Sequence, residues 1–164
     1  MSTTMSVDRY QRPIINLRIA VTQQCNLECF YCHREGQFDS KADMTPEEIA
    51  TITSISTGFG VRKVKITGGE PLLREDLGEI ALKIHQIPQV EEISIVTNGR
   101  LLTLEKANEL KRNGLARVNI SLPSTREAVY KRVTGASLDE AAKGINSAIQ
   151  TGLDPVKINT VVMR

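Results

Sequence analysis

Short β-branched runs alternate with longer amphipathic stretches along the whole chain, and this alternation limits the possible folds more than any other feature. Strand-like runs occupy 14–22, 61–67, 90–97, 115–122 and 155–163, with helical candidates between them at 45–57, 74–86, 103–113, 125–133 and 137–151. The helix ends carry chemical signals. Thr45-Pro46-Glu47-Glu48 and Thr103-Leu104-Glu105 read as N-caps with acidic first turns, and Gly114 and Gly152 stand where helices end in a left-handed residue. A repeated βα order favours a parallel sheet joined by right-handed crossovers.

Parallel strands covered on both faces should read as nearly continuous apolar runs. These alternate instead. Counting by two, one face carries Asn16 and Arg18, then Lys63, Lys65 and Thr67, then Asn119 and Ser121, then Lys157 and Asn159, while the other face is Val, Ile and Leu. The apolar face suits the helices, and the polar face lines a ligand space or water. A partial (β/α) TIM-like barrel with a polar, locally basic lumen accounts for this pattern; a sheet with one solvated face is the plainer alternative. Residues 1–13 read as an N-terminal tail and 14–164 as one incomplete barrel. The last strand-like run, to Met163, has no helix after it and would present an apolar edge, so the chain is expected to be part of a longer protein or to need a partner.

With 40% hydrophobic and 24% charged residues, 164 residues make an ordinary globular domain. A net charge of +2 is too small to imply nucleic acid or a membrane surface as partner. The opening residues lack the pattern of a secretory signal and no run approaches a membrane span, so a cytoplasmic protein is expected. All three cysteines fall between positions 25 and 32, an odd number on one short loop, which argues for metal ligation over disulfides.

Cys25, Cys29 and Cys32 follow the first strand with C-x3-C-x2-C spacing. Three thiolates so placed can each bind a different iron of a cubane and leave the fourth iron open to a substrate's amine and carboxylate. Two other readings use His33: a zinc site with the three cysteines, strained because Cys32 and His33 are adjacent, and a c-type haem attachment through Cys29, Cys32 and His33. Three inert thiols are the remaining alternative. Further candidates close the later strands. Thr67-Gly68-Gly69-Glu70-Pro71 offers close backbone approach and a carboxylate for an ammonium group, Thr97-Asn98-Gly99 follows the third run, and Ser121 closes the fourth. Ligands of βα architectures bind at those carboxyl ends.

The cysteine spacing, with aromatic Tyr31 before the third cysteine, and the Gly68-Gly69-Glu70 turn resemble the radical S-adenosylmethionine (SAM) superfamily. The resemblance implies a [4Fe-4S] cluster on Cys25, Cys29 and Cys32 and SAM contacts from Tyr31, Gly68, Gly69, Glu70 and Ser121. It implies that the cluster donates an electron to SAM, whose C–S bond breaks to give methionine and a 5′-deoxyadenosyl radical, the cofactor carrying the difficult chemistry. Across residues 16–162 the sequence is similar, more specifically, to the GTP 3′,8-cyclases of molybdenum-cofactor biosynthesis. The stretches concerned are Leu17 to Thr22, Lys65 to Arg74, Arg117 to Leu122, Thr134-Gly135 and Val156 to Asn159. That similarity implies that Arg18, Lys65 and Lys157 grip GTP, which is converted to (8S)-3′,8-cyclo-7,8-dihydroguanosine 5′-triphosphate with electrons from a protein such as ferredoxin or flavodoxin.

The sequence departs from the cyclase pattern in several places. Val96 stands where a nucleotide-contacting Thr is usual, so that contact is expected to be absent or to shift to Thr97. Lys65 replaces an Arg, offering a point charge in place of a planar fork. Gln23-Gln24 stands where Asp-Arg is more usual and Pro123 where an acidic residue is common, and the family's second half, with three more cysteines, has no counterpart here. A peptide- or tetrapyrrole-modifying radical SAM enzyme and a catalytically inert cluster-binding half-domain are the alternatives; a homodimer or a C-terminal half would complete the barrel.

Overall fold

A computed structural model describes residues 6–32 and 43–162. Five strands, β1 (Asn16–Ala20), β2 (Lys63–Thr67), β3 (Glu92–Thr97), β4 (Leu115–Ser121) and β5 (Val156–Asn159), form one parallel sheet in the order β1-β2-β3-β4-β5. Helices α1 (Pro46–Gly58), α2 (Leu77–His85), α3 (Leu104–Arg112), α4 (Glu127–Thr134) and α5 (Leu138–Thr151) fill the crossovers. When neighbouring strands follow sequence order and every crossover is right-handed, all helices lie on one face. Such a sheet is one segment of a barrel wall, here left open, with its helices outside.

Burial follows that geometry. Ile19, Val64, Ile66, Ile93, Ile95, Val118 and Ile120 are buried beneath Ile49, Leu77, Ile80, Ile84 and Leu110 from the helices. The helix starts are set by the predicted caps: Thr45 and Glu48 form a capping box, with Glu48 N–H donating to Thr45 Oγ1 at 3.2 Å and Thr45 N–H donating to Glu48 Oε2 at 2.8 Å. Thr103 caps α3 through its hydroxyl alone, accepting from Lys106 N–H at 3.1 Å. Gly114 and Gly152 take left-handed φ values of 96° and 68°.

Two elements differ from expectation. The helix expected from 74 begins at Leu77, after a 3-10 turn at Pro71–Leu73, because Arg74 is committed elsewhere. Its guanidinium donates to Val21 O and Met44 O at 2.7 Å each and pairs with Asp76. The strand expected over 155–163 stops at Asn159, where Leu122 N–H donates to Asn159 O at 2.9 Å and Thr160 Oγ1 donates to Leu122 O at 2.9 Å. Met163 lies outside the described residues, as does His33 with the zinc and haem readings that used it. Within the N-terminal segment, Val7 bridges Pro13 antiparallel and Ser6 N–H donates to Phe59 O at 3.0 Å, docking it on the end of α1. No helix among the described residues is long and apolar enough to cross a membrane.

Candidate functional site at the carboxyl ends of the strands

Backbone pairing continues past β1 and β2 and joins the cysteine loop to the Gly68-Gly69-Glu70 turn. Val21 N–H donates to Thr67 O at 2.8 Å, Gly69 N–H to Thr22 O at 2.8 Å and Glu70 N–H to Gln24 O at 2.7 Å. The glycines are required by this pairing. A Cβ on Gly68 would stand 2.5 Å from Thr22 O, and one on Gly69 would overlap the Gln24 carbonyl. Their close approach is therefore to the cysteine loop itself, where the sequence pointed to a ligand.

Glu70 is buried, with 1% exposure, and ties three segments together. Its carboxylate accepts from Leu72 N–H at 3.0 Å, Thr97 Oγ1–H at 2.6 Å and Asn98 N–H at 2.7 Å. Burial raises its pKa against the pull of those bonds. Asn98 carries the link onward, donating from Nδ2 to Asn26 Oδ1 at 2.7 Å beside Cys25. Arg100 donates to Asn26 O at 3.0 Å and pairs with Glu140 of α5, so the loop after β3 braces the cysteine loop from below.

The far end of the cysteine loop rests on α4. Glu28 N–H donates to Thr134 O at 3.3 Å and Phe30 N–H to Val133 O at 3.2 Å, giving two of the helix's terminal carbonyls a partner. Cys25 and Cys32 are exposed and Cys29 is half-buried, all as free thiols. Burial raises the Cys25 and Cys29 pKa values; the charges of Glu70 and Cys32 add to the rise at Cys25, and those of Cys25 and Cys32 to the rise at Cys29. Tyr31 lies beside Cys29, and burial followed by the charge of that thiol pushes its pKa up. Among the described residues no group of three metal-ligating side chains could hold a single ion. A cubane takes each thiolate on a different iron and does not require that convergence.

The open face of the sheet holds the basic residues. Register sets Arg18 beside Lys65, Lys65 beside Ser94 and Ser94 beside Arg117. Val96, Asn119 and Lys157 form the next row, and Ser121 stands opposite Asn159 at its upper edge. Lys65 is central: burial and then the charges of Arg18, Arg117 and Lys157 lower its pKa, with Glu92 acting the other way. Glu92 accepts from Arg117 Nε at 2.9 Å and lies 3.9 Å from Lys63 Nζ.

Thr97 bears on the two outcomes the sequence left open, a nucleotide contact absent at Val96 or shifted to Thr97. It pairs in register with Ile120, on the helix-packed face, is 2% exposed, and has its hydroxyl engaged with Glu70 and Gly99 N–H. It positions Glu70 and cannot take over a nucleotide contact from Val96, whose side chain belongs to the opposite face. Thr97→Val should leave nucleotide affinity unchanged and cost about 1 kcal/mol of stability, read by isothermal titration and urea unfolding. A matching loss of nucleotide affinity would favour the shift to Thr97.

Sequence reasoning missed Arg117, Glu92, Asn26 and Arg100. Arg117 was within reach, since it shares its alternate positions with Asn119 and Ser121. A β-bulge between Ile93 and Ser94 in the pairing with β4 allows Leu115, of the same parity, to stay in the core. The Asn26 to Asn98 bond joins residues 72 positions apart and leaves no local signal.

Fold and site together define an iron-sulfur βα enzyme core, and the comparisons agree: the chain belongs to the radical SAM superfamily, which matches residues 19–164. The superfamily's cofactors are a [4Fe-4S] cluster and SAM, and a donor set of three neighbouring thiols on one accessible loop fits that cluster. More particularly, the chain is 51% identical over 162 residues to a probable GTP 3′,8-cyclase of Pyrococcus abyssi and 48% identical over 160 residues to one of Archaeoglobus fulgidus. These alignments take in 98% and 97% of this chain but 51% and 53% of the relatives, so the chain spans about half their length. Among solved structures, Streptococcus suis SuiB superposes with a TM-score of 0.77 at 20% identity, over 92% of this chain and 33% of that one. Methylornithine synthase does so with 0.68 at 20% identity, over 88% and 43%. At such identities the likeness is one of fold.

Proposed function

We propose that this chain is the cluster- and SAM-binding portion of a GTP 3′,8-cyclase, with the basic open face receiving the triphosphate. The observation that carries the nucleotide assignment is the placement of Arg18, Lys65, Arg117 and Lys157 on one face of the sheet by strand register. Like charges held together on one sheet face repel each other, and a polyanion relieves that repulsion. Similarity to cyclases over 98% of the chain points the same way.

When bound, the cluster and SAM supply hydrogen abstraction driven by a single electron. Cys25, Cys29 and Cys32 hold the irons, and the accessible Cys25 and Cys32 leave that edge open to a reductant protein of the ferredoxin or flavodoxin class. The buried Glu70 carboxylate supplies counter-charge for the amino group of SAM, while Tyr31 and Ser121 flank it from the loop and from β4. Arg18, Lys65 and Lys157 orient the nucleotide on the open face, which a second half like that of the relatives, or a second copy of the chain, would enclose and keep dry.

Titration of the protein with GTP, ATP and guanosine tests the substrate. GTP should bind tightest, and Lys65→Ala should weaken it about tenfold, the equivalent of ~1.4 kcal/mol for one charge-assisted contact, leaving guanosine unaffected. Equal affinity for ATP would reduce the face to a general polyphosphate site. No GTP binding by a protein extended to the relatives' full length would favour a radical SAM enzyme acting on a peptide or another substrate.

A further inference from the structure

Asn119 of β4 is 7% exposed, and its amide is fixed end for end. Its Oδ1 accepts from Arg117 Nη1 at 3.1 Å, and Arg117 is held in turn by Glu92, to which Nε donates at 2.9 Å. A guanidinium has donors only, so the oxygen end of the amide must face Arg117 and the Nδ2 end must face away from it. Nδ2 meets no acceptor among the described residues, and it is not sealed within the protein. A mostly buried amide with an idle donor is unfavourable unless water or a ligand takes the bond.

The rows of the open face locate the ligand group. Asn119 stands in register between Val96 and Lys157, an apolar side chain and a cation, and neither has an acceptor to offer. Lys65, Ser94 and Arg117 lie one row below, two residues nearer the amino ends, and Ser121 with Asn159 lies one row above. At a rise of about 3.3 Å per residue, each of those rows is ~6.6 Å from Asn119. With the triphosphate against Arg18 and Lys65 and SAM at the carboxyl ends, the level of Asn119 falls to the sugar that joins phosphate to base. A sugar hydroxyl oxygen is an acceptor of the kind the amide N–H requires.

We propose that Asn119 is a substrate-binding, specificity-determining residue whose Nδ2 donates to a ribose hydroxyl of the nucleotide, so that this face selects ribonucleotides over deoxyribonucleotides. This rests on the nucleotide reading above and adds the sugar to it. An amide braced by Arg117 and Glu92 also holds the ribose at a set height between the phosphate row and SAM, which is the ordering a reaction at the sugar needs.

Isothermal titration of the reconstituted protein with GTP, 2′-deoxy-GTP, 3′-deoxy-GTP and inorganic tripolyphosphate tests it. The parent should bind GTP about tenfold more tightly than at least one of the deoxy analogues, the loss expected when a partly buried donor is left without its acceptor. Asn119→Ala should bind GTP and both analogues alike, with its affinity for tripolyphosphate unchanged. Asn119→Val, whose branched side chain suits a strand, carries the same comparison should the Ala variant fail to fold. A parent indifferent to both hydroxyls, or a variant that keeps the discrimination, overturns the proposal while the nucleotide reading stands. Equal weakening of GTP and tripolyphosphate in the variant also overturns it, since Asn119 would then serve the phosphate row. Weaker SAM binding with nucleotide discrimination intact assigns the amide to the sugar of SAM and overturns it too. If the parent binds no GTP, the nucleotide reading falls and this one with it.

Discussion

Cys29→Ala should purify as a folded chain that cannot be loaded with iron and sulfide. The backbone of its loop is held by bonds from Glu28, Phe30 and Cys32, and the one Cys29 group they use is its carbonyl, so removal of the thiol leaves them in place. Stability should change by about 0.5 kcal/mol or less, as for substitutions away from the core. Two remaining thiolates leave two irons of a cubane without protein ligands, so the thiolate-to-iron absorption and the reduced-cluster resonance should fall to background. With them should go the cleavage of SAM to methionine and 5′-deoxyadenosine under dithionite. Circular dichroism and iron analysis on one preparation decide the matter, and a Cys29→Ala chain that still holds a full cluster would remove the basis of the functional reading.

Glu70→Ala should act on stability and cofactor together. Its carboxylate is the acceptor for Leu72 N–H, Thr97 Oγ1–H and Asn98 N–H. Buried donors deprived of an acceptor cost about 1 to 3 kcal/mol each when nothing replaces it, and the Thr97 hydroxyl can turn elsewhere, so a total of about 3 kcal/mol is expected. For a chain of this size that lowers the melting temperature by roughly 6 to 12 °C. Asn98 would also lose the anchor from which it reaches Asn26, loosening the first turn of the cysteine loop. SAM affinity should therefore fall even with the cysteines intact, read by equilibrium binding to the reconstituted protein. Wild-type stability with selective loss of SAM binding would mean that Glu70 serves the ligand alone.

The cysteine loop stood out in the sequence because its signal is local: thiol spacing along a single turn survives any ambiguity about packing. Arg18, Lys65 and Lys157 were legible for a related reason, since strand parity alone assigns them to one face. Whether the Val96 contact is absent or shifts to Thr97 was left open, because proximity in sequence says nothing about side, and adjacent strand residues point in opposite directions. The glycines were recognised as sites of close approach, but only the pairing of Gly69 with Thr22 and of Glu70 with Gln24 shows what approaches them. Arg74 likewise read as a helix start, while its actual partners, Val21 O and Met44 O, come from segments that meet only in the folded chain.

What the amino-acid order determined by itself was the alternation of strand and helix, the two unlike faces of each strand and the close spacing of the three thiols, because each depends on a repeat or spacing a few residues long. What the tertiary structure decided was which long-range partner each polar group takes: Glu70 with Thr97 and Asn98, Asn26 with Asn98, Glu92 with Arg117, and the phenol of Tyr130 with none. Those pairings depend on strand order and register, which are set by the burial of the apolar face as a whole and by no short stretch of sequence.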